Sequence, residues 1–278
     1  MENVASAAHR ARGLRGLLLA SHPVPGFAVT VFGLLLAIGI GLPPGRVALF
    51  TVALFLGQLS IGWSNDRIDA ARDTANARTD KPAATGDIAL STLTAAMLVS
   101  VALSVLGFFL LGWRVGLVAL ALNGAGWSYN LGLKATVFSG LTYLVGPGLL
   151  PVVGYLAVPA TPPWWAPVAG GLLGIGAHIA NVLPDLRADE ATGVRGLPHR
   201  LGLRLALVVM AVVLAAASLV VVLGPGSPAP PVLVAALVAV LLAGTSAVLG
   251  LRRPNSPLAF YAALGVALID VVLFVVVI

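Results

Sequence analysis

Cysteine does not occur among the 278 residues. Disulfides, thiolate metal sites and a cysteine nucleophile are therefore excluded. Charge is nearly as scarce: 9% of the residues are Asp, Glu, Lys or Arg, where a soluble domain carries about 25%. The hydrophobic fraction is 59%. A chain this poor in charge cannot cover its own surface with polar groups, so its solvent is expected to be lipid. Met1 to Arg15 is basic, but the apolar stretch after it runs too long and lacks a small-residue cleavage site. No cleavable signal peptide is expected.

Apolar stretches set off by polar or Pro/Gly breaks predict an all-α polytopic membrane protein. Nine transmembrane helices are expected, at about 17–40, 46–64, 89–111, 114–131, 136–158, 164–184, 203–224, 230–250 and 257–278. Pro43-Pro44, Pro159 to Pro163, Gly224-Pro225-Gly226 and Arg252-Arg253-Pro254 cannot continue a helix. The chain's 32 glycines suit close helix packing in lipid. With the N-terminus in the cytoplasm, fourteen of the sixteen basic residues fall inside, and only Arg46 and Arg114 fall outside. That asymmetry sets the orientation, with the C-terminus outside. The net charge of +6 is then a topology signal and needs no nucleic acid to explain it.

The ten acidic residues are concentrated. Asp66, Asp69, Asp73, Asp80 and Asp87 lie between the second and third spans, and Asp185, Asp189 and Glu190 between the sixth and seventh. Both segments are expected as cytoplasmic loops. Their spacing repeats. Asn65, Asp69 and Asp73 step by four, and so do Asn181, Asp185 and Asp189, which puts each set on one helical face. Pro82 and Pro198 both lie seventeen residues after their Asn, and Gly86 and Gly202 both lie twenty-one after. An internal repeat is expected, about 17–131 and 136–250, followed by a ninth helix, in one transmembrane domain. Such repeats put a site where their halves adjoin.

Rows of carboxylates are hard oxygen donors that suit Mg²⁺. Mg²⁺ usually takes one or two carboxylates and completes its shell with water and substrate phosphate. Asn65, Asp69, Asp73, Asn181, Asp185 and Asp189 are the expected metal ligands, the four aspartates being also the expected catalytic carboxylates. Interleaved bases, Arg72, Arg78, Lys81, Arg187 and Arg195, can bind diphosphate oxygens and stabilise charge on a departing group.

On these residues the chain resembles the intramembrane aromatic prenyltransferases, the UbiA superfamily, over essentially its whole length. The resemblance rests on the two Asn/Asp motifs after helices two and six. It also rests on Arg78-Thr79-Asp80-Lys81-Pro82 and on Gly193-Val194-Arg195-Gly196-Leu197-Pro198, where Gly196 stands in place of the Thr of many members. Tyr129 to Lys134 is similar to the family's Tyr-and-Lys segment, with four residues between the two where three are usual. The resemblance implies nine helices around a central cavity and a catalytic role for Lys134. It implies Mg²⁺-assisted loss of diphosphate from an allylic prenyl diphosphate, then alkylation of a lipophilic, usually aromatic acceptor in the membrane. The plasma membrane of a prokaryote is the expected location.

Further candidates each have two readings. Lys134 is also readable as a topology anchor. His178 shares the face of Asn181 and Asp185, as a cavity residue or an interhelical histidine. Asn123 and Tyr129 could contact substrate, and Trp63, Trp127, Tyr143 and Tyr155 could shield a cation or simply pack. His22 precedes Pro23 as a helix-start feature or a cavity residue, and Asp270 contacts an acceptor or bonds a neighbouring helix.

Other functions stand beside prenyl transfer. A membrane terpene cyclase of the same superfamily would carry the same motifs and need no acceptor. A CDP-alcohol phosphotransferase needs its acids on one pair of helices, whereas this chain splits them between two distant segments. A divalent-cation transporter needs a polar path across the bundle, and Asp270 is the only carboxylate within an expected span.

Overall fold

The computed structural model describes residues 13–158, 160–186, 189, 193–226, 228–253 and 258–278. Among these, every regular element is a helix. In chain order they are α1 (Gly13–Ala20), α2 (Pro23–Gly39), α3 (Pro44–Ala75), α4 (Pro82–Thr85), α5 (Leu90–Leu111), α6 (Trp113–Asn130), α7 (Ser139–Leu156), α8 (Trp165–Val182), α9 (Leu197–Leu223), α10 (Pro230–Arg252) and α11 (Leu258–Val277). Short 3-10 turns sit at Leu133–Ala135 and Leu183–Asp185. Proline opens several helices, where its missing N–H costs nothing.

Each of the nine stretches expected as spans contains a helix among the described residues, the first of them broken at Ser21–His22. Six helices are long and apolar enough to cross a membrane: α3, α5, α7, α9, α10 and α11. The pair α1 and α2, bent by 62°, makes a seventh if it is one span. The bend falls at His22, which adopts a left-handed backbone (φ 50) ahead of Pro23. The other two, α6 and α8, have 18 residues each and fall outside that group. Arg114, Asn123 and Asn130 dilute α6, and glycines, His178 and Asn181 dilute α8.

The chain divides into two compact units. The first holds the described residues of Met1–Leu34 and Pro43–Gly116. In it α5 lies on α3. Gly107 faces the Ala53 methyl, and Phe50 meets Phe108 edge-on with ring centroids 5.7 Å apart. Arg46 closes the end of α5 by donating to the Leu111 carbonyl at 2.6 Å. The α1–α2 corner is fastened to α3, where Gly62 leaves room for the Ser21 carbonyl and the Trp63 indole donates to Leu17 at 2.8 Å.

The second unit comprises Leu35–Leu42 and the described residues of Leu117–Ile278. Its core joins Ile179 of α8, Leu207, Met210 and Leu214 of α9, Ala239 and Ala243 of α10, and Ala263 and Val266 of α11. The α7–α8 seam has a specific cause. Pro147 and Pro151 lack N–H groups, so the carbonyls of Tyr143 and Pro147 lose their partners four residues on. Gly174 abuts the Tyr143 carbonyl and Gly170 the Pro147 carbonyl, so closely that a Cβ at either would collide. Small residues one turn apart let the two backbones meet there, with Cα–H groups facing the freed oxygens.

The repeat expected from spacing has a local counterpart. Pro82 and Pro198 each lie in the first turn of a helix, and Gly86 and Gly202 both take left-handed φ, 78 and 70. Gly202 breaks α9 into a short leading turn and a long helix. The expected start at 203 matches that break.

Candidate active site

The first Asn/Asp motif is not a loop. The second span was expected to end at 64, but α3 continues unbroken to Ala75 and carries Asn65, Asp66, Asp69 and Asp73 on its last turns. Ala70, Ala71 and Ala75 favour helix, and Arg72 pairs back to Asp69 one turn earlier. The helix stops at Asn76, whose side-chain amide donates to the Arg72 carbonyl at 2.9 Å.

Asp69 and Asp73 are only 7% and 4% exposed. Two carboxylates one turn apart repel, and burying them requires a cation. Arg72 supplies one, its Nη2 lying 3.0 Å from Asp69 Oδ2 and 3.6 Å from Asp73 Oδ1. Asn65, one turn before Asp69, is half-buried. Downstream, Arg78 forks onto Asp80 through Nε and Nη2 at 2.8 and 2.7 Å. Those hydrogen bonds hold the Asp80 carboxyl down to about 2.

Lys81, the diphosphate contact expected from the sequence, donates to Asp66 Oδ1 at 2.8 Å. His22 Nε2 lies 2.9 Å from the same oxygen and 3.0 Å from the Lys81 ammonium. Asp66 is 1% exposed. Its partners come from 44 residues before it and 15 after, a pairing that spacing alone does not reveal. Its helical register was readable, since it stands three before Asp69 and seven before Asp73.

The second motif begins on α8 with an exposed Asn181. Pro184 then tightens the chain into the 3-10 turn that Asp185 closes. The side chain of Asp185, and Arg187 and Glu190 altogether, lie outside the described residues. Asp189 is reached 3.6 Å from the buried His199 Nε2, a residue the sequence did not single out. The Asp189 carbonyl accepts from Val194 N–H at 2.9 Å, closing the turn toward an exposed Arg195.

The segment that follows docks on the start of α7. Leu197 N–H donates to Ser139 Oγ at 2.7 Å, and the same hydroxyl lies 3.0 Å from His178 Nε2. A Cβ on Gly196 would stand 2.6 Å from the Lys134 carbonyl and 2.8 Å from Ser139 Oγ. A side chain at this position would therefore press on a backbone oxygen and a buried hydroxyl. Lys134 itself is half-buried in the Leu133–Ala135 turn.

His178 is buried and stacks on Tyr143 at 4.6 Å and 25°. Tyr129 stands edge-on to both rings, 5.3 Å from Tyr143 and 5.7 Å from His178. The structure brings Tyr129 and His178, two separately expected candidates, into ring contact, and adds Ser139, which the sequence did not single out. Asn123 is buried on α6, and Asp270 is fully buried on α11 with Val266 and Phe274.

Among the described residues no three His, Cys, Asp or Glu side chains are grouped to hold an ion unaided. The donors present are carboxylate and amide oxygens. That set fits a hard cation that brings water and phosphate oxygens as its remaining ligands.

A model of the UbiA prenyltransferase family matches residues 26–269. No curated protein matches the chain. Solved structures do. An apo UbiA homologue from Aeropyrum pernix K1 has a TM-score of 0.74 at 20% identity, covering 90% of this chain and 98% of that one. A UbiA homologue from Archaeoglobus fulgidus bound to GPP and Mg²⁺ has a TM-score of 0.72 at 17% identity, covering 94% and 99%. A digeranylgeranylglyceryl phosphate synthase structure has a TM-score of 0.71 at 17% identity, covering 95% and 98%. These similarities establish a shared fold, and the family match extends over most of the sequence. The chain is an integral membrane protein of the UbiA prenyltransferase family.

Proposed function

We propose that the protein transfers a prenyl group from an allylic prenyl diphosphate to a lipophilic, aromatic acceptor within the membrane, releasing diphosphate with the help of Mg²⁺. The observation that carries this reading is the pair Asp69 and Asp73, buried on one face of an apolar helix with the single arginine Arg72 between them, one positive charge against two negative ones. Such a face is costly unless cations meet it. The homologues bound to GPP or DMAPP with Mg²⁺ support the donor class.

Asn65, Asp69, Asp73, Asn181, Asp185 and Asp189 are the proposed oxygen ligands of Mg²⁺. When bound, the metal neutralises diphosphate and makes it a better leaving group. Arg72, Arg78 and Arg195 hold diphosphate oxygens as charge builds on them, Arg72 turning from the carboxylates to do so. Lys134 adds a further positive charge. The allylic C–O bond breaks, the allylic carbon bonds to an acceptor carbon, and the acceptor proton is lost. Tyr129, Tyr143 and His178 form an aromatic cluster that is proposed to adjoin the allylic cation and the aromatic acceptor, with Asn123 as a polar contact.

The reading takes α6 and α8 as membrane-crossing with the six more apolar helices and the α1–α2 pair, nine spans in all, with the N-terminus and both motifs cytoplasmic. The matching Pro82/Gly86 and Pro198/Gly202 turns support two repeated halves.

The test is incubation of purified protein with Mg²⁺ and prenyl diphosphates of several lengths, with and without aromatic acceptors, reading products by mass. Prenylated acceptor and free diphosphate are expected, and both should vanish in Asp69→Ala and Asp185→Ala proteins that still fold. A cyclic hydrocarbon formed without acceptor would replace the reading by a cyclase. Full activity in both variants would overturn the proposed site.

A further inference from the structure

We infer that His22, Asp66 and Lys81 form a positioning lock for the metal-binding end of α3, and that Lys81 is committed to this lock and not to diphosphate. The inference rests on the proposed diphosphate site and adds residues that the Asn/Asp spacing leaves out.

Three observations carry it. Asp66 Oδ1 receives Lys81 Nζ at 2.8 Å and has His22 Nε2 at 2.9 Å. Asp66 is 1% exposed, so its charge must be met locally. Lys81 is itself largely covered, its side chain 14% exposed, which leaves it little reach elsewhere. Finally, Asp66 sits one turn before Asp69 on the same helical face. Unmatched, it would add a third negative charge beside Asp69 and Asp73. Arg72 covers the latter two, and Lys81 covers Asp66.

The lock also has a mechanical side. A helix end frays unless its side chains are tied down. Here α3 is tied at Gly62 by the Ser21 carbonyl, at Trp63 by the Leu17 carbonyl, and at Asp66 by His22 and Lys81. His22 and Ser21 belong to the α1–α2 corner, and Lys81 caps the start of α4. Two chain segments therefore grip the turn from which Asp69 and Asp73 project. Partners hydrogen-bonded directly to metal ligands change metal affinity by about 10- to 100-fold when removed; this lock acts one step further back, through the helix turn, so the low end of that range is expected.

The experiment titrates Mn²⁺, read by electron paramagnetic resonance, into the full-length protein in lipid nanodiscs with inorganic diphosphate present. Asp66→Asn and Lys81→Met are each expected to raise the Mn²⁺ dissociation constant about 10-fold. The double variant should be no weaker than either single one, because each removes the same interaction. Lys81→Arg should bind as wild type does. His22→Asn, which tolerates the left-handed backbone, should weaken binding in the same direction and keeps the test open if the Asp66 variant does not fold. The KM for prenyl diphosphate at saturating Mg²⁺ should not move in Lys81→Met. Losses that multiply in the double variant, or a raised KM in Lys81→Met, would overturn the lock and return Lys81 to the diphosphate. Asp69→Asn separates the two levels: if it binds Mn²⁺ as well as wild type, the diphosphate site itself is wrong and the lock falls with it.

Discussion

Arg72 lies against both Asp69 and Asp73, 3.0 and 3.6 Å away, on the last turns of α3. Under the proposed function it stands where a divalent cation would meet the same two carboxylates. Arg72→Ala should therefore destabilise the protein by about 1 kcal/mol, since the carboxylates then face each other with less compensation and the arginine is a third exposed. Mg²⁺ with inorganic diphosphate should restore most of the lost melting temperature. Thermal unfolding in detergent, with and without these additives, reads both effects; an unchanged melting temperature without them would count against the pairing.

Gly196→Thr places a Cβ against the Lys134 carbonyl and Ser139 Oγ. The neighbours are a backbone oxygen and a buried hydroxyl, so neither yields cheaply. A loss of about 1–3 kcal/mol is expected, read by thermal unfolding. Ser139→Ala, which leaves Leu197 N–H without its acceptor, should cost a similar amount, about 1–3 kcal/mol.

Gly174→Ala should be worse tolerated than Gly124→Ala, although both are helical glycines. Gly174 meets the Tyr143 carbonyl, whereas a Cβ on Gly124 meets nothing. Side-by-side yield and melting of the two variants test this, and equal behaviour would contradict the close α7–α8 seam.

The Asp80 carboxyl gives a pH prediction with a definite sign. Its folded value, about 2, is lower than the ordinary 3.8. The Arg78 fork thus favours the folded state above pH 3.8, and the contribution fades as pH falls through about 2. Arg78→Gln should bring the Asp80 titration back toward 3.8, followed by carboxyl-carbon NMR.

Which parts were legible follows from what kind of pattern carries them. Membrane helices announce themselves through composition, and Pro/Gly breaks marked their ends well, down to the interruption at Gly202. The first Asn/Asp step names two carboxylates, Asp69 and Asp73, that the structure buries on one helix face. That motif is helix and not loop because Ala70, Ala71, Ala75 and the Arg72–Asp69 pair extend α3 through its polar residues. Asp66, His199 and Ser139 escaped because their meaning lies in partners far along the chain. A buried ion pair such as Lys81–Asp66 leaves no periodic trace.

The unbroken run of α3 has a further consequence. Its 32 residues span roughly 48 Å at 1.5 Å per residue, while the hydrocarbon layer is about 30 Å thick. The helix is a ruler longer than the layer it crosses. A rod of fixed rise sets the height of Asp69 and Asp73 relative to the bilayer, with no hinge between the two. Under the proposed function, bilayer thickness should then set how far a prenyl chain must climb to bring its diphosphate level with those carboxylates.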